Sequence, residues 1–110
     1  PETISALHKL PTDEVFHFYL GDSVEMTHLF PDGKVEQIVL GHNLKAGERV
    51  QQLVKAGVWQ GTKLAEGGQW ALLGTTMAPG FDFSDLELAT PDLLKQYPKE
   101  EKLIAQLLPE

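Results

Sequence analysis

Turn-forming residues cut this chain at close intervals into short runs that alternate or are rich in β-branched and aromatic side chains, and nothing in the sequence constrains the fold more. Residues Glu2 to Leu10 place Ile4, Ala6, His8 and Leu10 on one face, and Pro11-Thr12-Asp13 then breaks the run. Glu14 to Leu20 follows, closed by Gly21-Asp22. Val24 to Phe30 and Val35 to Leu40 flank Pro31-Asp32-Gly33-Lys34, where proline suits the first central turn position and glycine the left-handed one. Further strands are expected over Arg49–Val54, Val58–Leu64, Trp70–Met77 and Phe81–Leu88, separated by Lys55-Ala56-Gly57, Glu66-Gly67-Gly68-Gln69 and Ala78-Pro79-Gly80. Only the last twenty residues change character. Thr90 is placed to cap a helix with Pro91 in its first turn, and Pro98–Leu108 forms a second helical piece.

Strand after strand with short turns predicts an all-β sandwich or closed barrel over residues 1–90, with a helical tail over 91–110 packed on the same domain; βαβ units have no room for their helices. At 110 residues the chain supports one hydrophobic core. A net charge of -7 sets a field that repels phosphate backbones, so neither nucleic acid nor an anionic membrane is an expected partner. With no cysteine there is no disulfide framework, thiolate metal site or thiol nucleophile. No apolar run reaches membrane-spanning length and no leader opens the sequence, so a soluble, cytoplasmic protein is the default expectation. The chain starts at Pro1 without a methionine, which points to an upstream segment that was cleaved or omitted.

In a barrel, the side chains that face inward decide the chemistry. His8, Leu10, Glu14, Phe16 and Phe18 share even parity. The spacing His8-x-Leu10-x-x-x-Glu14, then six residues to Gly21, resembles the first metal-binding signature of the cupin superfamily, with Leu10 in place of its second histidine. Gly57-Val58-Trp59-Gln60 resembles the second signature, with Gln60 where the third histidine would stand. A tighter resemblance runs through residues 12–22 (Thr12 to Asp22), Val39-Leu40-Gly41, Ala56 to Gln60 and Ala78-Pro79-Gly80-Phe81-Asp82-Phe83. Together these segments are similar to a cupin family of uncharacterised function, often described as predicted sugar epimerases of the RmlC-like type. The resemblance implies a double-stranded β-helix, or jelly-roll barrel, commonly dimeric, with a ligand cavity inside. It also implies an upstream portion, including one more strand, that this chain lacks.

Catalytic metal cupins hold their ion with three imidazoles and a carboxylate. Here only one histidine and one carboxylate of that set remain, so no cofactor is expected beyond a weak or adventitious divalent ion at His8, Glu14 and Gln60. His8 is the candidate general base, oriented by Glu14, for abstracting a proton beside a sugar carbonyl; the plainer reading makes the pair a hydrogen-bonded strut between strands. Metal-free epimerases of the RmlC type also use a tyrosine acid, and of the two available here Tyr19 has outward parity and Tyr97 lies in the tail. Trp59, beside Gln60, is expected at the cavity rim, whereas Phe18, Phe81 and Phe83 are expected to be core. His17 faces outward, and His28 and His42 read as surface or loop residues. The expectation is therefore a cupin that binds a small polar molecule, a sugar or nucleotide sugar among the candidates, through His8, Glu14, Phe16, Trp59 and Gln60. A metal-independent epimerase or isomerase with His8 and Glu14 as catalytic residues is the enzyme alternative, and a metal cupin with a reduced ligand set is the third. A homodimer is the expected assembly.

Overall fold

Strand β1 (Ile4–Lys9) opens the computed structural model, which describes residues 4–77 and 86–109. It is followed by β2 (Glu14–Gly21), β3 (Val24–Leu29), β4 (Val35–Leu40), β5 (Gln51–Val54), β6 (Trp59–Leu64), β7 (Ala71–Met77) and β8 (Glu87–Leu88). All pair antiparallel in two sheets, ordered β4-β3-β6-β1-β8 and β5-β2-β7. Chain neighbours β1 and β2 lie in different sheets, as do β6 and β7, which is the crossing pattern of a jelly roll rather than a meander. The turn expected at Ala78-Pro79-Gly80, the first half of the strand expected over Phe81–Leu88, and Phe81 and Phe83 lie outside the described residues.

The turns form where glycine permits them. Gly33 and Gly57 both adopt positive φ (93° and 79°), the conformation that the third positions of the Pro31-Asp32-Gly33 and Lys55-Ala56-Gly57 turns require. Gly33 N–H donates back to the Phe30 carbonyl (3.0 Å), and Phe30 N–H to that of Lys34 (2.9 Å), closing the β3–β4 hairpin. That hairpin runs in unbroken register from Val24 opposite Leu40 to Leu29 opposite Val35.

Each face of the larger sheet contributes to a core. Its inner face supplies Val24, Met26, Ile38 and Leu40 to the barrel core, where they meet Phe18, Val54 and Val58, with Phe16, Leu64 and Leu73 packed at the margin. Its outer face presents Leu7 and Leu29 to Ala89, Leu93, Tyr97, Ile104 and Leu107 of the tail. The tail is thus a second core layer, and Leu7 N–H donates to the Leu107 carbonyl (2.7 Å) as though the tail extended the sheet. The tail is also less helical than expected. Pro91–Lys95 and Pro98–Glu100 are 3-10 turns and only Glu101–Gln106 is α-helix, here α1. Pro98 lacks an N–H and its ring excludes continuation of the preceding turn, so two prolines seven residues apart leave each piece too short to propagate. Thr90, in extended conformation, makes no side-chain capping bond.

Candidate functional site

Cross-strand register decides which side chains meet inside the barrel. His8 on β1 lies opposite Gln60 on β6, and Gln60 lies opposite His28 on β3. Directly opposed residues share a face, so His8, Gln60 and His28 form one polar row across the inner face of the larger sheet. Glu14 enters from β2 of the facing sheet, and the Gln60 side-chain amide donates to its Oε1 at 2.7 Å. Both partners are buried, with Glu14 7% and Gln60 2% exposed. Gln60 therefore satisfies the carboxylate, as the role of a buried amide beside an acceptor demands.

His8 is fixed separately. Its Nδ1 lies 2.8 Å from the Ala6 carbonyl. A carbonyl oxygen only accepts, so Nδ1 carries the proton, and in the neutral ring Nε2 keeps its lone pair. Among the described residues no hydrogen bond or ion pair joins His8 to Glu14. The expected orienting role of Glu14 is thus taken by a backbone carbonyl. The two groups nonetheless line one cavity of about 480 Å³, which opens between β1 and β7 and is walled by Leu10, Met77, Leu86 and Leu88, with Ser5 and Thr75 adding hydroxyls. A neighbouring hollow of about 450 Å³, which also touches Ser5, carries no histidine or carboxylate among the described residues; the charged group among them, Lys63, is engaged by Glu25 at 3.8 Å and by Gln106.

Three expectations change. Trp59 does not reach the cavity. Adjacent residues on a strand point to opposite faces, so with Gln60 inward Trp59 is outward, opposite Leu29, packed against the tail core and beneath the Lys9 ammonium at 4.9 Å from the ring centre. Phe16 is half-buried at the margin of the barrel core, two residues along β2 from Glu14, and does not border the cavity. His28, expected at the surface, is 2% exposed inside the barrel, edge-on to Phe30, and its Nε2 has no hydrogen-bond partner among the described residues. Burial, more than any neighbour, lowers its pKa; Glu36 across the hairpin pulls it up and Arg49 pushes it down. Even parity with Val24 and Met26 was the available signal for its inward direction.

Other residues fall where expected. His17 lies on the outer face of the smaller sheet, 3.1 Å from the Thr76 hydroxyl, and His42 is exposed, edge-on to Phe18. Tyr19 is 51% exposed. Tyr97 is buried under the tail, its hydroxyl donating to the Phe30 carbonyl, and burial raises its pKa, with Asp32 adding to the shift. Neither tyrosine borders the cavity.

The metal arrangement of catalytic cupins does not fit these residues. Leu10 has no donor atom, Gln60 has turned its amide nitrogen onto Glu14, and His8 has one ring nitrogen committed to Ala6. Among the described residues no group of three or more His, Cys, Asp or Glu side chains is close enough to hold an ion.

Comparison with known proteins agrees with the architecture. The family model described as Cupin superfamily (DUF985) matches residues 1–89. A crystal structure of a Shewanella oneidensis protein superposes with a TM-score of 0.89 at 34% identity, covering 96% of this chain and 67% of that one. A hypothetical protein from Leishmania major gives 0.91 at 28% identity, over 100% and 72%. A mutant of Bacillus subtilis oxalate decarboxylase gives 0.64 at 19% identity, over 97% and 28%, a likeness of fold. No curated protein matches.

Proposed function

The chain belongs to the cupin superfamily, and from that premise we propose that it binds a small polar molecule in the cavity between β1 and β7, with His8 and Glu14 as the contacting groups. The observation that carries this reading is convergence. Two strands from different sheets bring an imidazole with a free lone pair and a buried carboxylate to one opening of about 480 Å³, a size suited to a small ligand. Gln60 is a positioning residue, since its amide sets the orientation of the carboxylate.

The epimerase alternative draws support from the orientation of His8, whose Nδ1 is held by the Ala6 carbonyl so that Nε2 is the nitrogen of the neutral ring left to take a proton. It needs a proton donor on the opposite face of the substrate, and the positions of Tyr19 and Tyr97 weigh against either tyrosine. Binding without turnover is the better supported of the two.

Titration of the uniformly labelled protein with a panel of small alcohols, sugars, amines and carboxylates, followed by NMR, tests the proposal. Saturable shifts confined to His8, Glu14, Thr75 and the neighbouring leucines support it. Shifts that cluster elsewhere, or that persist unchanged in His8→Ala, would count against it.

A further inference from the structure

We infer that the ligand of this cavity carries a protonated amine, set against the Glu14 carboxylate and the His8 Nε2 lone pair, with an apolar body against the leucine wall. This rests on the reading of the cavity as a ligand site and names what the site selects.

The polar groups at the cavity are matched to a donor, not to an acceptor. His8 Nδ1 is spent on the Ala6 carbonyl, so the ring offers a lone pair. Glu14 Oε1 takes one hydrogen bond from Gln60, and a carboxylate has capacity for several more. Ser5 and Thr75 contribute hydroxyls of either sense. Among the described residues no lysine or arginine borders the cavity, and none of the ion pairs involves Glu14. An anionic ligand, including any phosphate or sugar diphosphate, would bring a second negative charge to a buried carboxylate with no lysine or arginine among the described lining residues to offset it. A neutral alcohol would satisfy the geometry but leave the charge.

An ammonium does both. It donates up to three hydrogen bonds and supplies the missing positive charge at a carboxylate only 7% exposed, where solvent screens the attraction least. A divalent transition-metal ion would need three or four strong donors, and among the described residues only His8 and Glu14 of the lining are of that kind, the Ser5 and Thr75 hydroxyls being weak ligands. Leu10, Met77, Leu86 and Leu88 make the rest of the wall apolar, which suits a carbon skeleton more than a fully hydroxylated one. The net charge of -7 also draws cations toward the molecule.

A matched series isolates the charged group: cyclohexylmethylamine, cyclohexylmethanol and cyclohexanecarboxylate, titrated into the intact protein at pH 7 and followed by the His8 and Thr75 NMR signals. The amine is expected to bind at least tenfold more tightly than the alcohol, and the carboxylate not to bind. Glu14→Gln is expected to bring the amine to within about twofold of the alcohol. Equal affinity for amine and alcohol, or preference for the carboxylate, would overturn the inference while leaving the cavity a ligand site. Absence of binding by all three would overturn the cavity reading and this inference with it. The wild-type comparison decides the matter even if Glu14→Gln fails to fold.

Discussion

Replacing Gln60 by leucine tests the buried pair on which the geometry of the site depends. Gln60 is 2% exposed and its amide lies 2.7 Å from Glu14 Oε1. Leucine is close to glutamine in size, so little cavity is created and the cost is that of the lost bond. A hydrogen bond to a charged acceptor contributes about 1.5–3 kcal/mol, and the abandoned buried oxygen keeps its desolvation penalty, so a loss of about 2 kcal/mol is expected. Glu14→Leu alone leaves the Gln60 amide unpaired and should cost about 1–2 kcal/mol. The double variant removes both needs together and should cost clearly less than the sum of the two. In urea titrations monitored by tryptophan fluorescence, with a slope of about 2 kcal/mol per molar, Gln60→Leu should lower the midpoint by about 1 M. A double-mutant cycle that closes additively to within about 0.5 kcal/mol would refute the pairing.

Other consequences follow from the same packing. The folded protein holds His28 below its ordinary value of 6.5 while the unfolded chain titrates near it, so the unfolded state takes up protons first. Stability should be full above about pH 6.5 and fall as the pH drops toward the lowered folded value, and His28→Leu should flatten that slope in urea midpoints taken from pH 7.5 to 5. A slope unchanged by the substitution would show that His28 is not its source. Trp59→Ala should destabilise by about 2–3 kcal/mol, below the range for a fully buried tryptophan, yet leave affinity for a cavity ligand within twofold by calorimetry, because the ring faces the tail. Ile104→Ala, at a fully buried tail position, should cost about 3–4 kcal/mol in one cooperative transition. A separate early transition would show the tail to be an independent layer.

Much of this was legible in the sequence. The β3–β4 hairpin was fixed by Pro31 and Gly33, whose backbone preferences leave few other conformations, and the limits of the first seven strands agree with expectation to within two residues. The shared inward parity of His8, Leu10, Glu14 and Phe18 also held, although β1 carries a register shift between Ser5 and His8 and β2 one between Phe18 and Leu20. Failures arose where that rule was set aside or gave no contrast. Trp59 and Gln60 are adjacent, so a period of two forbids both from lining one cavity; their joint likeness to a sequence signature obscured this. His28 lies on a strand buried on both sides, flanked by Thr27 and Leu29, so polar-out alternation does not mark its direction and only its parity with Val24 and Met26 pointed inward. The second buried face itself depends on Ile104 and Leu107, some hundred residues from Leu7, a packing that no local pattern encodes. The partner of Glu14 required the register between sheets, which sets Gln60 and not His8 at hydrogen-bond distance.

The most direct test is a crystal structure of the protein soaked with cyclohexylmethylamine. It should show the amine nitrogen within hydrogen-bond distance of both His8 Nε2 and Glu14, with the ring against Leu10 and Leu88. A cavity closed by the protein's own side chains, or a molecule bound only elsewhere on the surface, would contradict the assignment of this opening as the ligand site.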